Sequence, residues 1–202
     1  MRFRRLVLVA AVLLVLAALA GGATAAPDWW GRTREIQSAQ QRLSQQLDAR
    51  WASDAAAPAT GPQARLHLPT LSADLVVLDA TARDDRRPGP GYIPGTAPIG
   101  TAGNTGIAGE RVPGVFWNLD RLDIGDPVIL ETRDTWFVYR VMEARVVRPE
   151  DGTALDPPPP GASPVLTLMT DEPRLSTARR LIRQATLIRR DPHEGPRPAE
   201  LT

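Results

Sequence analysis

The first pattern along the chain is a single apolar block. After Met1-Arg2-Phe3-Arg4-Arg5, no charged residue occurs from Leu6 to Ala26. A strongly apolar stretch of ~7–15 residues ending at an Ala-x-Ala site is a signal peptide, whereas ~20 apolar residues can span a bilayer. Ala23-Thr24-Ala25 fits cleavage. The length of the block favours an uncleaved anchor, as do Trp29 and Trp30, which fall where an interfacial aromatic belt would lie. The arginines ahead of the span predict a cytoplasmic amino terminus with the rest of the chain outside. Residues 1–30 are therefore assigned to a signal or membrane anchor, and the expected location is the cell membrane, single-pass, or the exterior after cleavage.

The second pattern is a helical stripe. Ile36, Ala39, Leu43, Leu47 and Trp51 recur every three to four residues among Gln, Arg and Ser, which predicts a stalk helix from about Thr33 to Trp51 packed one-sidedly on its own domain. Ala52 to Gln63, Ala-rich with Pro58, Gly61 and Pro62, reads as a linker. Residues 31–63 form the stalk-and-linker region.

The third pattern has the period of strands. Leu66, Leu68 and Leu71, then Leu75 to Leu78, predict two short strands punctuated by Pro69. A Gly/Pro-rich stretch fills Arg87 to Gly103. Pro127 to Thr132 and Trp136 to Val147 flank a turn at Arg133-Asp134 and form the clearest hairpin; both faces of its second strand are partly apolar, so that strand is expected to be central. Val165 to Met169 and Leu181 to Ile188 complete the set, separated from the hairpin by a Pro157 to Pro160 loop. The domain is placed at 64–190, and 191–202, with Pro192, Pro196 and Pro198, is expected to be a disordered tail. Short strands with turn signals and little helical period predict a mainly β domain, a small barrel or sandwich.

Composition narrows the chemistry. Hydrophobic residues at 43% and charged residues at 23% fit a folded domain. The net charge is +1 with no like-charged run, so nucleic acid is not expected as a partner. All 24 basic residues are Arg, which excludes a lysine nucleophile, and there is no Cys, which excludes disulfides, thiolate metal sites and thioester chemistry.

Several ordered motifs carry a family resemblance. Ala64 to Pro69 (ARLHLP) looks like an opening strand, followed by Gly89 to Pro98 (GPGYIPGTAP), Gly103 to Arg111 (GNTGIAGER), Phe116 to Pro127 (FWNLDRLDIGDP), Leu166 to Pro173 (LTLMTDEP) and Ser176 to Leu187 (STARRLIRQATL). Together they resemble the sortases, the transpeptidases that attach proteins to Gram-positive cell walls, and most closely the class E branch of actinobacterial type. The Arg-only, Ala- and Pro-rich composition agrees with such a high-GC source. The resemblance covers residues 64–188 and implies an eight-stranded β-barrel behind the anchor and stalk helix.

The resemblance also implies a triad: a cysteine nucleophile, a histidine for proton transfer and an arginine steadying the oxyanion. Here the cysteine position falls on Asp171 and the histidine position on Glu110, while Arg180 keeps the arginine. An aspartate attacking an amide would have to form a mixed anhydride and expel a poor leaving group, so transpeptidation is not expected. His67, in the opening strand, and His193, in the tail, match no catalytic position of the family and are read as surface or strand-edge residues. Glu110, Asp171 and Arg180 are expected to face one another as an ion-pair network.

The leading expectation is a catalytically degenerate sortase-family protein that binds a sorting-signal-like peptide, another sortase or an envelope protein, with no cofactor and no metal. One alternative is a hydrolase using Glu110 and Asp171 as acid and base. Another is a hard-cation site built from Glu110, Asp171 and Glu172, weakened because the pleat would turn Glu172 to the other strand face.

Overall fold

A computed structural model of the protein describes residues 29–53, 61–79 and 88–201. The apolar segment up to residue 28 and most of the Ala/Pro linker, 54–60, lie outside the described residues. The chain divides into a unit ending at Arg32 and a second unit, Thr33–Thr202, which holds every strand. Among the described residues no helix is long and apolar enough to cross a membrane.

The strand pattern closes on itself. The strands β1 (Pro62–Leu68), β2 (Ala73–Asp79), β3 (Gly91–Tyr92), β4 (Asn104–Ala108), β5 (Pro127–Glu131), β6 (Thr135–Val147), β7 (Val165–Glu172) and β8 (Arg179–Pro192) form a closed barrel in the order β1-β2-β3-β4-β7-β8-β6-β5. Closure leaves no edge with unpaired backbone, which selects the barrel over the sandwich. Two parallel pairings, β2 with β3 and β4 with β7, sit among antiparallel ones. The expected hairpin is β5–β6, and β6 is central, flanked by β5 and β8.

The two-sided apolarity of β6 has a geometric cause. Register shifts at Val138/Tyr139 and Val141/Glu143 change which face each part of the strand presents. Trp136 and Val138 join Ile129 in a small cluster, while Tyr139 and Val141 enter the main core with Leu66, Val77, Ile107, Phe116, Leu166 and Leu168. Burial of that core supplies the main driving force for the fold.

The helix α1 (Trp29–Ala52) buries Ile36 and Leu47, the second completely. Ile36 belongs to the main core. A polar residue fixes the seating: the Gln40 side chain accepts the Val76 N–H at 2.7 Å and donates to the Pro88 carbonyl at 2.8 Å. Arg50, near the helix end, donates to the Pro62 carbonyl at the start of β1.

The carboxy-terminal segment departs from its expected disorder. β8 runs on to Pro192, the His193 N–H donates to the Asp134 carbonyl at 3.0 Å, and Leu201 packs against the Ile129, Trp136 and Val138 cluster. Glu200 pairs with Arg189 at 2.9 Å. Proline-rich composition removed backbone donors, but these side chains supply anchors that composition does not reveal.

Candidate functional site

Asp171, where the sequence resemblance puts the cysteine, lies near the carboxy end of β7. Along β7, Leu166 and Leu168 enter the core, so the pleat puts Thr167, Met169 and Asp171 on the opposite face. On β8 the residues opposite Thr167, Met169 and Asp171 are Gln184, Ile182 and Arg180. Asp171 and Arg180 are direct cross-strand partners, and the Arg180 guanidinium donates to Asp171 Oδ1 at 3.0 Å. Both side chains are partly exposed, 28% and 38%.

Glu110 follows the end of β4. Gly109 N–H donates to the Met169 carbonyl at 3.0 Å, and Thr170 Oγ1 donates to the Gly109 carbonyl at 2.7 Å, which ties the residues just before Glu110 to the strand bearing Asp171. Gly109 has to be glycine-sized: a Cβ there would lie 2.7 Å from the Phe116 ring. The Glu110 carbonyl accepts the Phe116 N–H at 3.2 Å, starting the turn that follows. Of the three residues expected to face one another, Asp171 and Arg180 form an ion pair, and the backbone next to Glu110 ties that residue to β7.

A second arginine, not singled out from the sequence, organises the opposite face. Arg111 is 6% exposed. It pairs with Glu172 and with Asp120, the latter at 3.1 Å, and donates to the Asp171 carbonyl at 3.2 Å. Asp120 also receives Arg174 at 3.2 Å, whose guanidinium lies 4.6 Å from the Trp117 ring centroid. Glu172 thus points away from Asp171, as the pleat requires, and is committed to an arginine. Among the described residues no group of three His, Cys, Asp or Glu side chains could hold a metal ion. The signal for this network was present in the sequence as Arg111 directly after Glu110 and Glu172 directly after Asp171, but only the fold brings Asp120 and Arg174 to them.

The sheet face carrying Asp171 and Arg180 is walled by the connection between β6 and β7. The 3₁₀ turn Thr153–Leu155 lies on it, and the Ala154 carbonyl accepts from Asn104 Nδ2 at 3.0 Å, Gln184 Nε2 at 2.7 Å and Thr167 Oγ1 at 3.1 Å. Asn104 Nδ2 also donates to the Asp156 carbonyl at 3.1 Å. A Cβ on Gly106 would come within 2.9 Å of Leu155, so the missing side chain lets the turn sit on the sheet. A separate cleft of about 730 Å³ runs between α1, β2 and the 113–118 loop, and neither Asp171 nor Arg180 lines it.

Comparison with known proteins is decisive on family. A model of the sortase domain matches residues 66–188. The chain belongs to the sortase family. Sortase SrtE1 of Streptomyces coelicolor is 28% identical over 192 residues, 86% of this chain and 54% of the relative. Sortase E of Streptomyces avermitilis superposes with a TM-score of 0.62 at 30% identity, covering 70% of this chain and 97% of that one. Sortase E1 of Streptomyces coelicolor, solved with a tripeptide in its active site, gives a TM-score of 0.61 at 26% identity over 73% of this chain and 100% of that structure. The chain spans about half the length of the curated relatives it matches. These relatives are of class E, as the motifs implied, and the chain has no cysteine with which to form a thioester.

Proposed function

We propose that this sortase-family protein is a recognition module that holds an extended peptide or a protein segment without cleaving or transferring it. The observation that carries the proposal is the Asp171–Arg180 pair: the carboxylate that the motif resemblance aligns with the nucleophile is engaged by the arginine that it aligns with the oxyanion-stabilising one. A carboxylate held in this way is neither a competent nucleophile for an amide nor a good partner for an acyl intermediate. The Thr153–Leu155 turn stands on the same sheet face, which supports a floor and a side for an elongated ligand. The tripeptide in the active site of sortase E1 supports a peptide as the ligand class. The apolar amino-terminal block supports a place outside the cytoplasmic membrane, on the cell envelope.

The acid–base alternative draws less support. General acid–base work needs carboxylates available for proton transfer, and Asp171 is ion-paired. The cation alternative is weakened by the arginine pairs of Asp171 and Glu172.

The test is a combined binding and turnover assay on the full chain with a library of sorting-signal peptides, with and without an amine acceptor. Saturable binding without product is expected. Formation of a transpeptidation or hydrolysis product would overturn the reading and make Glu110 and Asp171 the first residues to substitute.

A further inference from the structure

The cleft between α1, β2 and the 113–118 loop, apart from the Asp171 face, has a lining with a definite chemistry. On α1, Gln37, Gln40, Gln41 and Ser44 follow the i, i+3, i+4, i+7 spacing of one helix face, next to the stripe that buries Ile36 and Leu47. All four side chains are neutral and polar. Gln40 is engaged by the Val76 N–H and the Pro88 carbonyl, whereas the Gln37 and Gln41 side-chain amides are exposed and hold no partner among the described residues. Across the cleft stand Asn118 and the apolar surfaces of Leu71 and Trp117.

The charges in the cleft are already committed. Of the described residues that line it, only Arg65 and Asp74 are charged. Arg65 donates to Glu131 at 2.8 Å, to Asp48 at 2.7 Å and to Ser44 at 2.8 Å. Asp74 Oδ1 lies 2.6 Å from His67 Nδ1. His67, 2% exposed, is buried rather than the surface or strand-edge residue expected from the sequence, and its other nitrogen lies 2.9 Å from Glu131. A charged ligand would find no free counter-charge to compensate its lost hydration.

An added peptide strand is disfavoured by the edge of β2. The Val76 N–H points away from β1 to Gln40, and that direction repeats every second residue, so Asp74, Val76 and Leu78 face outward. The Leu78 N–H donates to the Pro90 carbonyl at 2.9 Å. Val76 is covered by Gln40 and by Gly89, where a Cβ would lie 3.0 Å from the Val76 carbonyl oxygen. Asp74 alone is left for a ligand backbone, too short an edge for the ladder by which strand addition binds.

We propose that this cleft is a binding site for a neutral oligosaccharide. A primary amide sets a donor beside an acceptor, and two vicinal hydroxyls of a sugar, each able to donate and accept, match that pair. Gln37 and Gln41 supply two such amides on one wall, and Asn118 supplies a third on the other. Leu71 and Trp117 offer apolar surface for the C–H faces of the rings. The volume of about 730 Å³ lies within the ~300–1,000 Å³ of small-molecule sites. This site goes beyond the peptide reading of the Asp171 face and does not depend on it.

The experiment titrates the isotope-labelled full chain with maltotriose, cellotriose and chitotriose in turn, and follows the side-chain amides of Gln37 and Gln41 and the Trp117 indole N–H by NMR. A pool of random octapeptides is the competing probe. Expected are saturable shifts of these groups with at least one trisaccharide, none of them with the peptide pool, and no trisaccharide-induced shift of the Asp171 or Arg180 amides. Gln37 and Gln41 are exposed helix positions where Ala favours the helix, so the double variant Gln37→Ala, Gln41→Ala keeps the fold. It should weaken trisaccharide binding by about 5- to 100-fold, the range for two lost hydrogen-bonding groups. No shift with any of the three trisaccharides, shifts of the same groups with the peptide pool, trisaccharide shifts at Asp171 or Arg180, or unchanged affinity in the double variant would each overturn the site.

Discussion

Asp171 and Arg180 are register partners on neighbouring strands and hold each other at 3.0 Å. The pair is a charge-neutral, partly solvated contact on a sheet face walled by the Thr153–Leu155 turn. Its consequences can be measured separately from those of the buried networks around it.

Installing the missing chemistry tests whether the scaffold is otherwise intact. Asp171→Cys combined with Glu110→His is expected to yield a covalent acyl intermediate with a sorting-signal peptide, visible by intact mass. Asp171→Cys alone should form it about 10²- to 10⁴-fold more slowly, the range that a positioned acid–base group contributes. Equal rates for the two variants would show that position 110 does not sit where the histidine works.

The two arginine networks should differ in stability cost. Arg180→Ala removes a partly exposed ion pair and is expected to cost less than about 1 kcal/mol in denaturant unfolding, because solvent screens such pairs. Arg111→Ala strands Glu172, leaves Asp120 with Arg174 alone and opens a buried site, with an expected cost of about 2 kcal/mol or more. Equal midpoints for the two variants would remove the distinction.

Acid stability should depend on Glu131. Burial pushes its pKa up, yet hydrogen bonds from His67, His193 and Arg65 outweigh this and hold it at about 2 against an ordinary 4.5. A depressed carboxylate contributes stability that is present above about 4.5 and lost as pH falls toward 2. The separation corresponds to roughly 3 kcal/mol. In Glu131→Gln, unfolding free energy measured by denaturant titration should therefore be lower than wild type near neutrality and converge with it in acid. A constant difference down to pH 2 would assign the stability to other groups.

The seating of the Thr153–Leu155 turn should depend on Asn104. Asn104→Ala removes donors to the Ala154 and Asp156 carbonyls and the acceptor for Thr167, at an expected cost of about 1–3 kcal/mol. Amide exchange should accelerate at Leu155 and Asp156, whose N–H groups close the 3₁₀ turn, with little change in β1 or β5. Unchanged exchange at these two amides would mean that Gln184 and Thr167 suffice to seat the turn.

Much of the fold was legible because its signals are local. The β5–β6 hairpin, the strands at 62–79 and the β7 and β8 strands follow from apolar period and from proline and glycine punctuation, and the motif order at 64–188 carried the family. Glu110, Asp171 and Arg180 could be placed by motif alone, whereas Arg111, Asp120 and Arg174 could not be grouped, because they meet only across the barrel end. The sequence by itself determined the chemistry that is impossible: without a cysteine there is no thioester, whatever the fold. Only the tertiary structure decided the state of the charges that remain, since an ion pair depends on distance and burial rather than on position along the chain. His67 and His193 show this most clearly. They are separated by most of the domain and lie in an apolar strand and a proline-rich end, yet strand pairing sets one of them beside Glu131 and the folded-back terminus delivers the other.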